Sequence, residues 1–362
     1  MVAIRDPIRP EVFPAIEKCK NAGIRIIMAT GDHVETAKSY AIELNIMNSN
    51  DKAYSHSEIE KMSDDELKEI LKRVNVFARI NPEDKYRIVT LLKEMGEIVA
   101  MTGDGVNDAP ALRKADIGIA MGLRGTDLAR EVSALVLLDD NFASIVNAIE
   151  EGRVIYDNIK NSIFFLLSCN FGEIMLVLAS MILSMGLPLG PLHLLWLNLV
   201  TDSFPALALG FEKPNKNIMK PRIKKDNDIM NLNFICKILF QGIIIAGGSF
   251  ALYSYFYFKN SSLASTVCFA GIIVIELLRV LSARSKNDSI IKLGIFSNMS
   301  IIYSIIISFL LLLLALYGPV AKLLFDSSFI DYKTWIIILC VSILILLLAE
   351  VEKIVFIKKK NN

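Results

Sequence analysis

Cysteine is sparse and scattered in this chain: Cys19, Cys169, Cys236, Cys268 and Cys340 form no CxxC pair and no Cys/His cluster. Neither a disulfide scaffold nor a zinc centre is supported, and the thiols are expected to be free, in a core or a membrane span. An excess of one charge is missing too. With 39 Lys and Arg against 38 Asp and Glu the formal net charge is +1, and no interleaving of Arg with aromatics marks a surface for nucleic acid. No signal peptide precedes the first half, which is therefore expected to stay in the cytosol.

What is present is unevenly distributed. A length of 362 residues allows about two or three domains. Residues 1 to about 158 carry mixed charge and short apolar runs, as a soluble α/β domain does. From Ser162 onward long apolar runs dominate, which is why the mean hydropathy is +0.47 in a chain that is 21% charged. The division is drawn at 1–157 and 158–362. Heavy use of Ile, Lys and Asn hints at an AT-rich bacterial genome.

In the soluble half, residues Met1 to Asp6 read as a strand-like run, and Pro10 and Glu11 open a helix that Gly23 ends. Ile24 to Ala29 is a continuous apolar strand, as in a parallel sheet buried on both faces. It delivers Thr30, Gly31 and Asp32 to a strand-to-helix turn, where a hydroxyl and free amides hold phosphate oxygens. The plainer reading is that Thr30 or Asp32 caps a helix over Val34 to Leu44, with His33 a solvated helix-start residue. Asn48 to Arg73 reads as a loop plus a solvated helix. A strand over Val74 to Ile80 then runs through Arg79 to Lys85, a cation in a first helical turn where the macrodipole opposes it. Glu97 to Met101 reads as a buried strand, followed by a turn of Thr102, Gly103, Asp104 and Gly105, a short helix from Asn107 and a strand at Ile117 to Met121. Hard oxygen ligands at a strand's carboxyl end suit Mg²⁺ held against a phosphate. A glycine-rich turn with Asn107 or Asp108 as a helix cap is the simpler alternative.

The second half holds six candidate spans, near 162–183, 191–210, 233–257, 264–283, 296–317 and 333–352. Basic residues lie between the second and third (Lys213, Lys216, Lys220, Arg222, Lys224, Lys225), after the fourth (Arg279, Arg284, Lys286, Lys292) and at the tail (Lys358, Lys359, Lys360), which puts both termini in the cytoplasm. Inside the spans, Asn170 and Glu173 share one helix face, and so do Asn198, Thr201 and Asp202, just before Pro205. A buried charge there costs about 2.5 to 3.5 kcal/mol or more. Glu173 and Asp202 with neutral oxygens make a pocket for a hard cation such as Ca²⁺. The alternative is hydrogen bonding that glues spans together. Glu276 is a third buried carboxylate, which Arg279 at i+3 could simply pair with.

Several runs resemble one family. The run TGDGVNDAPAL followed by ADIGIAMG (102–122), the DPIRPEV run at 6–12, TGD at 30–32 and FARINPEDK at 77–85 are similar to motifs of P-type cation-transporting ATPases. NxxE at 170–173 and LLWLNLVTDSFPALALGFE at 194–212 resemble the endoplasmic-reticulum-type and bacterial calcium pumps. The resemblance implies a haloacid-dehalogenase-like (Rossmann-like) phosphorylation domain followed by an all-α bundle of six transmembrane helices. It implies ATP as substrate, with Lys85 on the transferred phosphoryl group, Arg79 on the nucleotide, Thr30, Gly31, Asp32 and Asn107 near phosphate, and Mg²⁺ held partly by Asp104 beside Asn107 and Asp108. The stalk around Tyr156 to Lys160 would transmit phosphoryl-state changes to the spans. Asn170, Glu173, Thr201, Asp202 and Glu276 would form one Ca²⁺ site. Asn198 and Asp202 would contribute to a second, whose other ligands come from a PEGL-type span outside these residues. Mn²⁺ accepts the same donors.

The family's DKTGT nucleophile, nucleotide-binding insert and TGE loop do not occur in the sequence. The resemblance is thus to the carboxyl-terminal part of such a pump, expected not to hydrolyse ATP alone and to need an amino-terminal fragment as partner. A membrane-anchored phosphatase would need the same nucleophile. A non-catalytic Ca²⁺-binding or regulatory membrane protein is the remaining alternative. The implied setting is a multi-pass protein of a bacterial cell membrane.

Overall fold

The structure, a computed structural model, describes residues 7–215, 217–221, 230–285, 288–319 and 324–361, with 354–361 described by backbone only. The expected strand at Met1 to Asp6, together with Lys216, Arg222, Lys224, Lys225, Lys286 and the side chains of Lys358 to Lys360, lies outside the described residues. The chain divides into two compact units, Met1–Glu151 with Lys216–Arg222, and Gly152–Asn215 with Ile223–Asn362.

In the first unit, helix α1 (Val12–Asn21) stops at Gly23, whose φ of +74° suits glycine and whose missing Cβ would meet Pro221 at 3.0 Å. Strand β1 covers Met28–Ala29 alone, shorter than expected. Upstream of it Arg25 is tied by its side chain, to Asn75 Oδ1 (2.8 Å) and the Val74 carbonyl (2.7 Å). Helix α2 (Val34–Glu43) is capped by His33, which accepts the Glu35 N–H through Nδ1 at 3.4 Å; neither Thr30 nor Asp32 is the cap.

Residues 48–73 correct the sequence reading. They hold strand β2 (Tyr54–Ser55), a short helix α3 (His56–Ile59) and helix α4 (Asp64–Leu71). Ile59, Leu67 and Leu71 are fully buried. The helix presents Leu67 and Leu71 at i and i+4 under a polar surface, so charge content hid an amphipathic element.

Strand β3 (Val76–Ala78) is buried throughout and central, pairing in parallel with β1 and β2. Helix α5 (Pro82–Glu94) starts cleanly: Asp84 Oδ2 accepts the Asn81 N–H at 3.2 Å and Pro82 occupies the first turn. Strand β4 (Ala100–Gly103), helix α6 (Ala109–Lys114), strand β5 (Ile117–Met121), helix α7 (Asp127–Val132) and strand β6 (Leu135–Leu137) follow, and β5 pairs in parallel with β4 and β6. The expected buried strand at Glu97 to Met101 is shifted toward Gly103. It is also exposed at Ala100 and Thr102 and half-buried at Met101 and Gly103, because among the described residues β4 pairs on one side only. Ile88, Leu91 and Leu92 of α5 pack with Ile27, Ala29 and Val99, so one helix covers the approach to both sheets.

Helix α8 (Phe142–Ile182) runs 41 residues and belongs to the first unit up to Glu151. In the second unit, α9 (Pro191–Trp196), a π turn (Leu197–Thr201) and α10 (Ser203–Leu209) make one span. Then come α11 (Leu232–Tyr257), α12 (Ser261–Ala283), a short α13 (Ile290–Leu293), α14 (Met299–Tyr317) and α15 (Tyr332–Asn361). Six of these helical stretches are long and apolar enough to cross a membrane. The fifth begins at Met299, later than expected, because Asn298 caps it and Ile295–Ser297 form a separate turn.

Helix α12 is the centre of the bundle, with 83% of its most apolar window buried against 28–44% for the other spans. Their exposed Leu, Ile and Phe suit a hydrocarbon surround, which demands only that backbone groups be paired within the helices. Helices α8 and α11 touch through glycine. A Cβ on Gly242 would lie 2.5 Å from Phe171, and one on Gly172 would lie 2.9 Å from Ile245.

Candidate phosphate and cation sites

The first unit gathers its chemistry at the carboxyl ends of its strands. Beyond β1, Thr30 Oγ1 donates to Asp32 Oδ2 (2.9 Å) and accepts the Asp32 N–H (3.1 Å), while Gly31 is open to solvent. The end of β3 crosses this turn: Ile80 N–H donates to the Thr30 carbonyl (3.2 Å) and Arg79 N–H to that of Asp32 (3.0 Å). Arg79 holds φ at +50°, a left-handed conformation costing a non-glycine residue about 1–3 kcal/mol, with its side chain exposed.

Lys85, one turn into α5, sits 2.7 Å from Asp108 Oδ1, both groups largely buried. Asp108 fits because residue 103 is glycine: a Cβ there would stand 2.7 Å from the Asp108 Cβ. Asp104 is exposed, and its carbonyl accepts the Thr126 N–H at 2.9 Å, tying the turn to the start of α7. The Thr30 turn, the Arg79–Lys85 segment and Asp108 are thus linked in sequence. Asn107 is exposed and makes no side-chain hydrogen bond among the described residues. An exposed Asp104 carboxylate beside a Lys85–Asp108 pair fits Mg²⁺, which takes one or two carboxylates and completes its shell with water and phosphate oxygens.

Three of the carboxylates that the second unit buries within its spans are the expected ones: Glu173 on α8, Asp202 at the foot of α10 and Glu276 on α12, at 5%, 1% and 0% exposure. Glu173 Oε2 accepts from Asn198 Nδ2 at 2.9 Å. Glu276, Asp202 and Cys169 each bring a ligand atom to within 4.8 Å of the others. The π turn lies beside them: Asp202 N–H donates to the Leu197 carbonyl at 3.0 Å, a wide loop of the kind found at functional sites.

Two expected ligands stand apart. The Thr201 hydroxyl turns back to the Leu197 carbonyl (3.0 Å), and half-buried Asn170 makes no hydrogen bond to the cluster among the described residues. Arg279 does not pair with Glu276. It donates to Gln241 Oε1 (3.2 Å), the Phe165 carbonyl (3.3 Å), Ser168 Oγ and Cys169 Sγ (3.9 Å). Burial explains the choice: Arg279 is 1% exposed and reaches toward α8 and α11, where acceptors ring its fork. Cys169 escaped the sequence reading, although it lies at i−4 from Glu173 on the same helix face.

Residues 186–355 match the family described as cation transporting ATPase, C-terminus, and residues 1–116 match haloacid dehalogenase-like hydrolase. The chain belongs to the cation-transporting ATPases. It is 42% identical over 344 residues to a calcium-transporting ATPase of Bacillus subtilis, covering 94% of this chain and 38% of that protein. A calcium-transporting ATPase 1 of Bacillus cereus is 39% identical over 381 residues, covering 100% and 42%. The endoplasmic reticulum calcium ATPase srcA of Aspergillus fumigatus is 36% identical over 392 residues, covering 98% and 40%. The chain spans about two fifths of the length of these relatives. As a member of this ATPase family it is a multi-pass membrane protein, with a haloacid-dehalogenase-like domain ahead of its spans.

Proposed function

We propose that the chain is the carboxyl-terminal portion of an ATP-driven pump that exports Ca²⁺ through an aspartyl-phosphate cycle, in a bacterial cell membrane with both termini cytoplasmic. The observation that carries this reading is the pair Asp202 and Glu276, buried in two different spans with three of their four carboxylate oxygens lacking a hydrogen-bond partner. Such oxygens are costly without a cation. Asn170, Glu173, Asn198, Thr201, Asp202 and Glu276 together offer the oxygen-rich shell Ca²⁺ takes, with the Thr201 hydroxyl and Asn170 turning inward on binding. Calcium over Mn²⁺ is supported by the names of the relatives.

On the cytosolic side, the Thr30–Asp32 turn would hold phosphate oxygens, Lys85 would move its charge from Asp108 to the transferred phosphoryl group, and Arg79 would contact the nucleotide. Asp104, with Asn107 and Asp108 beside it, would hold Mg²⁺, which when bound neutralises charge on the phosphoryl oxygens. The nucleophilic carboxylate would come from outside these 362 residues, in the same or a separate polypeptide. Strands β1 and β4, each paired on one side only among the described residues, would accept a further strand at their open edges.

Coupling would run along α8. Asn158 Nδ2 donates to the Gly210 and Glu212 carbonyls (3.0 Å each), and Asn161 Nδ2 to that of Arg284 (2.9 Å). A shift of α8 would therefore pull on the chain beyond α10 and α12 as well as on Glu173, linking two sites through one element.

The test is ⁴⁵Ca²⁺ retention and calorimetry on the purified chain in detergent, comparing it with Glu173→Gln and Asp202→Asn. Saturable binding lost in both variants supports a Ca²⁺ site. Absent binding, or binding indifferent to both changes, overturns it for this chain.

A further inference from the structure

One ligand atom in the buried cluster differs from the rest. Cys169 is 0% exposed, and its sulfur lies within 4.8 Å of a carboxylate oxygen of Asp202 and of one of Glu276. An Arg279 Nη2–H reaches the same sulfur at 3.9 Å, which fixes it on the cluster side of α8. Around it, Glu173 Oε1, Asp202 Oδ2 and both oxygens of Glu276 are buried without a hydrogen-bond partner. Buried polar atoms are almost always satisfied, so this many at one place point to a cation.

The donor set decides which kind. Ca²⁺ and Mg²⁺ take oxygen throughout, whereas a thiolate with two carboxylates suits a softer divalent ion. Three protein ligands leave a fourth tetrahedral position for water. We infer that Cys169, Asp202 and Glu276 form a site for a thiophilic divalent cation of the Zn²⁺/Cd²⁺ class, overlapping the proposed Ca²⁺ site and binding in competition with it. The inference rests on reading Asp202 and Glu276 as cation ligands. On binding, the Cys169 S–H bond breaks, its proton leaves to solvent, and the sulfur lone pair makes the metal bond without change of oxidation state.

The probe is Cd²⁺ at one equivalent, on the full chain in detergent with the exposed thiols removed as Cys236→Ser and Cys340→Ser. Two readouts are taken: the ultraviolet thiolate-to-cadmium charge-transfer band, and ⁴⁵Ca²⁺ retention on the same samples. Adding Cys169→Ser should abolish the band and lower Cd²⁺ affinity about tenfold or more. Calcium retention should survive, which also reports that the variant is folded. Excess Ca²⁺ should displace Cd²⁺ from the parent.

A band and affinity unchanged in Cys169→Ser overturn the inference while leaving the calcium reading intact. A Cys169-dependent band with no Ca²⁺ binding by the parent keeps the thiol site and removes the calcium reading. Should Cys169→Ser fail to fold, X-ray absorption at the cadmium edge of the parent decides: one sulfur among oxygens supports the site, and an oxygen-only shell refutes it.

Discussion

Ser308 supplies the hydrogen-bond donor that Pro205 lacks. The Thr201 carbonyl, four residues before Pro205, would accept a helical N–H that proline does not have. Ser308 on α14 donates its hydroxyl there at 3.0 Å instead. Within hydrocarbon no water would pair that carbonyl. The proline-opened segment beside Asp202 is thereby tied to a neighbouring span rather than left free.

Removing the hydroxyl with Ser308→Ala should destabilise the folded chain by about 0.6–2 kcal/mol, the range for hydrogen bonds between membrane helices. Restoring the missing N–H with Pro205→Ala should shrink that cost. Thermal or denaturant unfolding of the two single variants and the double variant reads the coupling. Equal costs of Ser308→Ala in both backgrounds would falsify the substitution of one donor for the other.

In the first unit, Lys85 and Asp108 should behave as one coupled pair. Their 2.7 Å bond is largely buried, so Lys85→Met leaves Asp108 without its partner, and a cost of about 1–3 kcal/mol is expected. Gly103→Ala should remove the same interaction indirectly, because its Cβ would stand 2.7 Å from that of Asp108. The two changes together should then cost less than their sum. Strict additivity in urea unfolding of the double-mutant cycle would show that Gly103 serves some other packing need.

Much of this could be read from sequence, and the exceptions have local causes. The spans announced themselves through length and apolarity, and each glycine-bearing turn followed its strand. Strand β2 was missed because two residues, Tyr54 and Ser55, carry no period, and its assignment rests entirely on pairing with β3. The identity of the α2 cap was missed because His33 caps through a ring nitrogen, outside the usual Ser, Thr, Asp and Asn. Around the buried carboxylates, helical spacing put Asn170 with Glu173 and Thr201 with Asp202. The same spacing placed Cys169 four residues before Glu173 on α8, but it could not reveal that Thr201 would bond its own helix, nor that Asp202 and Glu276 from two other spans would meet the Cys169 sulfur. Arg279 illustrates the same limit: Glu276 at i−3 was the nearest candidate in sequence, while Gln241 and Ser168 lie on other helices.

Asp116 makes the first unit acid-sensitive in a defined direction. Its carboxyl is held below the ordinary 3.8 mainly by the Val99 N–H (2.9 Å), against desolvation and with help from Lys93 at 3.0 Å. A carboxylate with a lowered folded-state value contributes stability above its unfolded value and loses it as the pH falls through the folded one. Amide exchange across β4 and β5 should therefore quicken below about pH 4 in the parent. Asp116→Asn should exchange faster already at pH 7 and change less on acidification. An identical acid response in both proteins would remove Asp116 from the account.

Where the spans end, Glu212 and Arg284 should be the costliest pair to separate. Arg284 grips both Glu212 oxygens, Nε to Oε2 at 2.9 Å and Nη2 to Oε1 at 2.8 Å, with side-chain exposures of 1% and 10%. Asn298 Nδ2 adds a third donor to Oε2 at 2.9 Å, and Arg284 also donates to the Gly294 carbonyl at 2.8 Å and to Ser297 Oγ. The chain leaving α10, the end of α12 and the start of α14 thus meet on one carboxylate. Glu212→Ala strands a buried guanidinium and should cost about 3–5 kcal/mol. Glu212→Gln keeps one acceptor and should cost less. Replacing Arg284 by Met in the Glu212→Ala background should recover part of the loss, since no uncompensated charge then remains. If Arg284→Met instead adds its full cost to Glu212→Ala in thermal unfolding, the pair is held by packing of the two stems rather than by charge.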